Sequence, residues 1–430
     1  MTTVKPLIEI ERTVQSGARS IAVDMATDEG RDALRSLIDD AIETWQADAV
    51  HGVRSAPIAD PDAVARRAWR NLAEYGPLTE LLVDPDVWEI EINSPSDIFV
   101  KRHSGVNGYH HETFHDDDHV LRTLTKLLDD SSGSHRKLDP TEGLQDAQLD
   151  DGSRLHIVHG DIARGGHCMV NIRRFTGVAF TRLDQLVSRG TLSPGAASCL
   201  AAAVRGGASV VFAGAPGSGK TTLLSCCLGE LDPALRVVTA EEVFEIDAPL
   251  ANVASMQTRA ARSDRPGIDL RRLVSGFLRM APDVAVVGEV RDREALPLLL
   301  TLSSGVTGFT TVHAANARGA LSRLRFLAEL SDSARNLPHS ALTALVAECI
   351  DLVVFSERTP SGPKVREILA VEDLTTSSER AAFTVTDLFR TGSDDTLRWT
   401  SAVPARLTGQ LATHGVDFSE LLRSSTEVAR

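Results

Sequence analysis

Through residues 1–70, apolar positions recur every three to four residues among Ala, Arg, Asp and Glu, a spacing that predicts amphipathic helices. Residues 31–45 and 62–72 are two such segments, parted by a loop holding Pro57 and Pro61. From about Tyr75 the period shortens to two. Residues 87–92 alternate and predict a strand, 93–96 a turn, and 98–100 a second strand. A helix is expected over 119–128, a flexible tip at 131–134, and further strands over 154–158 and 168–173. A hinge is expected at 176–184. Beyond it, short apolar runs at 209–212, 237–238, 284–287, 309–312 and 352–355 alternate with helical stretches. That alternation predicts a mostly parallel sheet covered by helices. The chain thus reads as a helical region at 1–70, a small α/β domain at 71–175, a linker at 176–184, a larger α/β domain at 185–390 and a C-terminal appendage at 391–430.

Composition adds limits. The 430 residues are 42% hydrophobic but only 4% aromatic, so the cores must rest on Leu, Val, Ile and Ala. A net charge of -14 argues against sequence-independent nucleic-acid binding, which needs cationic surface to displace counterions. The five cysteines form no CxxC pair, which fits reduced thiols in a cytosolic protein; adjacent Cys226 and Cys227 are expected on different sides of a helix. The first residues carry charges through their short apolar stretch, unlike a signal peptide. No apolar run reaches the roughly 18 residues of a membrane span. A soluble chain that meets membranes only through partners is expected.

The chemistry concentrates after the strand at 209–212. Gly214-Ala215-Pro216-Gly217-Ser218-Gly219-Lys220-Thr221 matches G-x-x-x-x-G-K-[ST] in full, with Thr222 and two leucines opening a helix behind it. Glycines let the backbone curl until successive N–H groups face one anion, and the helix N-terminus adds positive partial charge. Lys220 is expected at the β- and γ-phosphates of ATP and the Thr221 hydroxyl on Mg²⁺. Pro216 removes one donor, while those from Gly217 to Thr221 remain. Downstream, four small apolar residues at 284–287 lead through Gly288 to Glu289. This strand is expected to bring Glu289 to the phosphate edge, to orient or deprotonate water and to contribute to the magnesium shell.

Four boxes in order resemble the type II/type IV secretion ATPase superfamily, most closely its CpaF-like branch, which powers Tad-type pili. They are the phosphate loop; Thr239-Ala240-Glu241-Glu242-Val243-Phe244-Glu245; the stretch from Leu278 through Glu289 to Asp292; and Gly305 through His313 to Asn316. Upstream, Tyr75-Gly76-Pro77-Leu78, Asp151-Gly152-Ser153-Arg154 and Ile172-Arg173-Arg174-Phe175 resemble the entry and exit of the family's N-terminal domain. The resemblance implies a RecA-like ATPase domain, a mostly parallel sheet preceded by the smaller α/β domain, with nucleotide bound between the two. It puts Glu241 and Glu242 near metal and nucleotide; His313, at the end of a parallel strand, is expected either to sense the γ-phosphate through hydrogen bonds or to serve packing. It favours Arg154 and Arg174, over Arg173, Arg259, Arg279 and Arg291, as stabilisers of transition-state charge. Two departures stand out: Glu241-Glu242 replaces the usual Glu-Asp, and Gln148 stands where an arginine is frequent. The resemblance further implies a homohexamer at the cytoplasmic face of the inner membrane, held by a platform protein and acting indirectly on pilins.

Other readings compete. A RecA-like nucleic-acid motor uses the same loop but wants a basic, aromatic-studded strip. A non-hydrolysing nucleotide-gated scaffold wants a damaged site, yet Lys220, Thr221 and Glu289 are present. An ABC-type ATPase needs an LSGGQ-like motif ahead of residue 284, and a small-molecule kinase needs an acceptor pocket and lid; neither is found.

Overall fold

The structure, a computed structural model, describes residues 4–103, 105–131, 137–174, 180–259, 266–374 and 382–427. It comprises two compact units, Met1–Thr176 and Gly177–Arg430. Most of the expected tip at 131–134, and residues 176–179 of the expected hinge, lie outside the described residues.

The first unit begins with helices α1 (Val4–Ser20), α2 (Asp28–Val50) and α3 (Pro61–Ala73). Thr27 accepts from the Gly30 N–H to start α2; Asp60 accepts from Ala63 to start α3, with Pro61 in the first turn. Their apolar stripes bury Ile10, Leu34, Ile38, Ile42 and Val64 against one another. Helix α4 (Thr79–Val83) leads into strands β1 (Val87–Ser94), β2 (Asp97–Arg102) and β3 (Gly108–Tyr109). Helix α5 (Asp117–Asp129) and strands β4 (Leu144–Gln148), β5 (Arg154–Val158) and β6 (Met169–Arg173) follow. The strands form one antiparallel sheet in the order β3-β2-β1-β6-β5-β4. On β1, Ile90 and Ile92 are buried while Glu89 and Glu91 pair with Lys101 on the other face. A polar seam ties the helices to the sheet. Glu112 takes Arg67 and Arg70 of α3, and buried Glu11 of α1 meets His115 at 2.9 Å and Asn71 at 2.7 Å. The helical region and the small α/β domain are therefore one unit, because they share this buried charge network.

The second unit contains α6 (Leu183–Ser188), α7 (Pro194–Arg205), β7 (Val210–Gly214), α8 (Lys220–Leu228), β8 (Val237–Glu241) and β9 (Val253–Gln257). It continues with α9 (Leu270–Val274), β10 (Val284–Val287), α10 (Ala295–Leu302), β11 (Thr307–Val312), α11 (Ala317–Glu329) and α12 (His339–Cys349). It ends with β12 (Leu352–Thr359), β13 (Gly362–Val371), β14 (Val385–Thr391), β15 (Leu397–Trp399), α13 (Ala405–Ala412) and α14 (Phe418–Glu427). The nine-stranded sheet runs β15-β14-β13-β12-β7-β11-β10-β8-β9. From β12 to β9 every pairing is parallel; β13, β14 and β15 extend it antiparallel. Residues of β7, β8 and β10 are buried on both faces, which explains their near-continuous apolar runs.

One sequence expectation needs correction. The tail from 391 is no separate appendage: β14 and β15 complete the sheet, and Leu407, Leu411, Phe418 and Leu422 are buried in the core that holds β7 and α7. Its apolar spacing needed a surface to bury against, and the sheet supplies it. Cys226 and Cys227 on α8 are both fully buried, since the helix is enclosed on all sides.

Candidate active site

The parallel strands end at one edge of the sheet, and the expected groups of the second unit collect there. Strand β7 runs out at Gly214, β8 at Glu241, β10 just before Gly288 and Glu289, and β11 just before His313. Register fixes this: Val287 lies opposite Ala240 and Thr310, and Val312 opposite Ala213. After β10 the chain stays on the edge because Gly288 donates to the Ala240 carbonyl and Val290 to that of Thr311, while the Thr311 hydroxyl donates to Gly288.

The loop at 214–221 is a cradle only glycine allows. Gly214, Gly217 and Gly219 have φ of 153°, 72° and 84°. A Cβ on Gly214 would fall 2.2 Å from the Ser356 carbonyl oxygen and 2.4 Å from Ser218 Oγ. Helix α8 begins directly behind, with Gly219 as its N-cap, and its first N–H groups lack intrahelical carbonyls. Lys220 is buried, its Nζ 3.0 Å from the Ala215 carbonyl oxygen and 3.3 Å from His313 Nδ1. Thr221 and Thr222 are half-buried on the first turn, and Pro216 is exposed at the rim. The donor set and the space held open by the glycines fit a triphosphate.

Opposite the lysine stands a linked pair. His313 Nδ1 is 3.1 Å from the Gly214 carbonyl oxygen, and its Nε2 is 2.8 Å from Glu289. Arg291 grips both Glu289 oxygens at 2.8 Å and reaches Glu242 at 2.6 Å. Burial alone would raise the Glu289 pKa. The hydrogen bonds from His313 and Arg291, with the arginine's charge, outweigh it and hold the carboxyl down at about 2. The same carboxylate raises Arg291 further.

Residues 71–358 match the family described as "Type II/IV secretion system protein". The chain belongs to this family. Among relatives of this type II/IV secretion system protein, the conjugal transfer protein TrbB of Rhizobium radiobacter is 32% identical over 231 residues, 50% of this chain and 68% of TrbB. The type IV secretion system protein PtlH of Bordetella pertussis is 31% identical over 298 residues, 64% of this chain and 86% of PtlH. The solved ATPase DotB of Legionella pneumophila aligns over 80% of this chain and 83% of its own, at 17% identity and a TM-score of 0.45.

Not every expected residue of the secretion protein faces this edge freely. Glu241 is buried, and one of its oxygens accepts from the N–H groups of Glu245 and Ile246 at 2.8 and 2.9 Å. A buried carboxylate needs donors, and Glu241 finds them in its own turn, so it anchors the acidic box rather than presenting a free charge. Glu242 is turned to Arg291. Arg174 belongs to the first unit, where its guanidinium donates to the carbonyls of Leu81 and Asp84, closing the end of α4. Arg154 is half-buried on β5, across from Gln148 on one side and Arg173 on the other. Asp151 caps the turn ahead of it, accepting from the N–H and hydroxyl of Ser153. Arg259 is spent on the Pro266 carbonyl at 3.1 Å. Sequence reasoning missed Ser356, Arg358 and Pro363, which touch the phosphate loop from β12 and β13; they form no local motif, and only strand pairing brings them there.

Proposed function

We propose that this secretion-family protein hydrolyses ATP at the loop of 214–221 and that the reaction drives a secretion or pilus-assembly machine. One observation carries the reading: the lysine of the loop, His313 and Glu289 form a continuous hydrogen-bonded chain across the ends of three neighbouring parallel strands. The loop amides and Lys220 hold the phosphates, with Lys220 leaving the Ala215 carbonyl for them. Thr221, and Glu289 through water, would hold Mg²⁺, which would supply neutralisation of phosphate charge. Glu289, ionised across the physiological range, orients the attacking water as an acceptor and fixes it in line. His313 links the loop to that carboxylate, so a shift at one is felt at the other.

The names of TrbB and PtlH place those relatives in conjugal transfer and type IV secretion. We assign this chain to the same kind of machine; its CpaF-like, Tad-type branch rests on the sequence boxes alone. A homohexameric ring at the cytoplasmic face of the membrane, docked on a platform protein, completes the proposal. Among the described residues no helix is long and apolar enough to cross a membrane. The test is phosphate release by purified protein. Lys220→Ala is expected to abolish it, and normal turnover in that variant would end the reading.

A further inference from the structure

The hairpin of β12 and β13 lies along the phosphate loop and meets it at four positions. Gly214 is opposite Ser356 in the parallel pairing of β7 and β12. The backbone there is so close that the Ser356 carbonyl fills the space a Cβ on Gly214 would take. Ser356 and Ser218 are both buried, at 2% and 1% exposure, and their hydroxyl oxygens are 3.3 Å apart. Ser356 Oγ is also 3.4 Å from the Ala213 carbonyl oxygen. Two residues on, Arg358 donates from Nη1 to the Gly217 carbonyl at 3.3 Å. Across the hairpin, a Cβ on Gly219 would come within 3.0 Å of Pro363 Cβ. A register shift at Phe355/Ser356 lets the hairpin follow the loop.

These contacts have a common consequence. A phosphate-binding loop works by pointing N–H groups inward, so its carbonyls must point outward and find donors elsewhere. Arg358 supplies one to Gly217, and Ser356 fixes Ser218, whose peptide sits between the two turning glycines. We propose that Ser356 and Arg358 are positioning residues for phosphate binding, a brace that sets the loop in its anion-accepting shape before nucleotide arrives. The inference rests on the nucleotide-binding reading of the loop. Neither residue needs to touch the ligand, so the effect falls on affinity and KM and leaves kcat nearly unchanged.

The measurement is equilibrium binding of a fluorescent ADP analogue to the full-length chain, with KM and kcat for ATP alongside. Loss of one hydrogen bond that holds the loop corresponds to about three- to tenfold weaker binding. Ser356→Ala and Arg358→Ala are each expected to show that loss, with kcat within about twofold. Arg358→Gln, which keeps a donor, is expected to recover most of it. Arg366→Ala is the control, since Arg366 lies on the same hairpin but pairs with Glu357 and Asp395; binding should be unaffected. If Ser356→Ala and Arg358→Ala bind as tightly as the parent while Lys220→Ala does not bind, the brace is refuted and the nucleotide site stands. An equal loss in Arg366→Ala would also refute it, by tracing the effect to hairpin stability. Undiminished binding in Lys220→Ala would remove the nucleotide reading and the brace with it.

Discussion

Glu289 carries two attachments that act in the same sense on its charge. Its contacts to Arg291 and His313 keep it charged, which suits an acceptor for water and a neighbour for a cation, yet a carboxylate held at about 2 is a weak base. Positioning of water, more than proton abstraction, is the work left to it. Glu289→Gln is expected to retain nucleotide binding and to lose about 10²-fold or more in hydrolysis, read by single-turnover phosphate release. The clamp also has a stability signature. The carboxyl's ordinary pKa is 4.5 and the folded value is about 2, so the unfolded chain binds the proton first as pH falls. The stabilisation is present in full above about pH 5 and disappears toward pH 2; it is on the order of 3 kcal/mol at neutral pH. Urea unfolding from pH 7 down to pH 3 should show that stability falls less steeply in Glu289→Gln than in the parent.

At the scale of elements, the first unit depends on a polar seam where an all-apolar one is the usual choice. Glu112 is the shared partner of Arg67 and Arg70, all three largely buried. Glu112→Ala removes the carboxylate partner of buried Arg67 and one of the two carboxylates on Arg70, which keeps Glu80, and is expected to cost about 3 kcal/mol or more in the unfolding of this unit. Beside the seam, His119 is buried to 1% exposure and packs edge-on against Phe114. Burial, reinforced by interaction with nearby His115, Arg122 and Arg67, lowers its pKa to about 3. His110, by the same primary cause, falls to about 4. Both must stay neutral in the fold, while an unfolded histidine takes its proton near pH 6.5. Stability therefore falls as pH drops below about 6.5, by about 2 kcal/mol at pH 5 for His119 alone. His119→Gln should flatten that slope in calorimetric scans at pH 7, 6 and 5.

Across the whole molecule, the last strands and helices belong to the motor-like unit's core. Ending the chain at residue 390 would strip Leu407, Leu411, Phe418 and Leu422 from the cluster that holds β7 and α7. The truncated chain is expected to be insoluble or to lose cooperative unfolding. A truncation that stayed soluble with unchanged nucleotide affinity would mean the tail is dispensable after all. A milder probe is Leu411→Ala, expected to cost about 2–5 kcal/mol, since Leu411 is fully buried.

Much of this was legible in the linear order of residues. Strand β10 occupies the expected 284–287, and β5 the expected 154–158, because each is an unbroken apolar or alternating run bounded by turn residues. The phosphate loop was legible for a related reason: its chemistry is local, written in eight consecutive residues whose glycines are demanded by backbone angles. The rest depends on residues far apart in sequence. That Glu241 serves its own turn, that Arg174 closes the end of α4, and that Arg291 joins Glu289 to Glu242 are outcomes of burial and side-chain geometry. Local patterning determined where strands, helices and the anion-binding loop form, since those follow from period and φ preference. Strand pairing in three dimensions decided what stands behind the loop: Ser356 and Arg358 lie some 140 positions from Ser218 and Gly217 and meet them only because β12 lies beside β7.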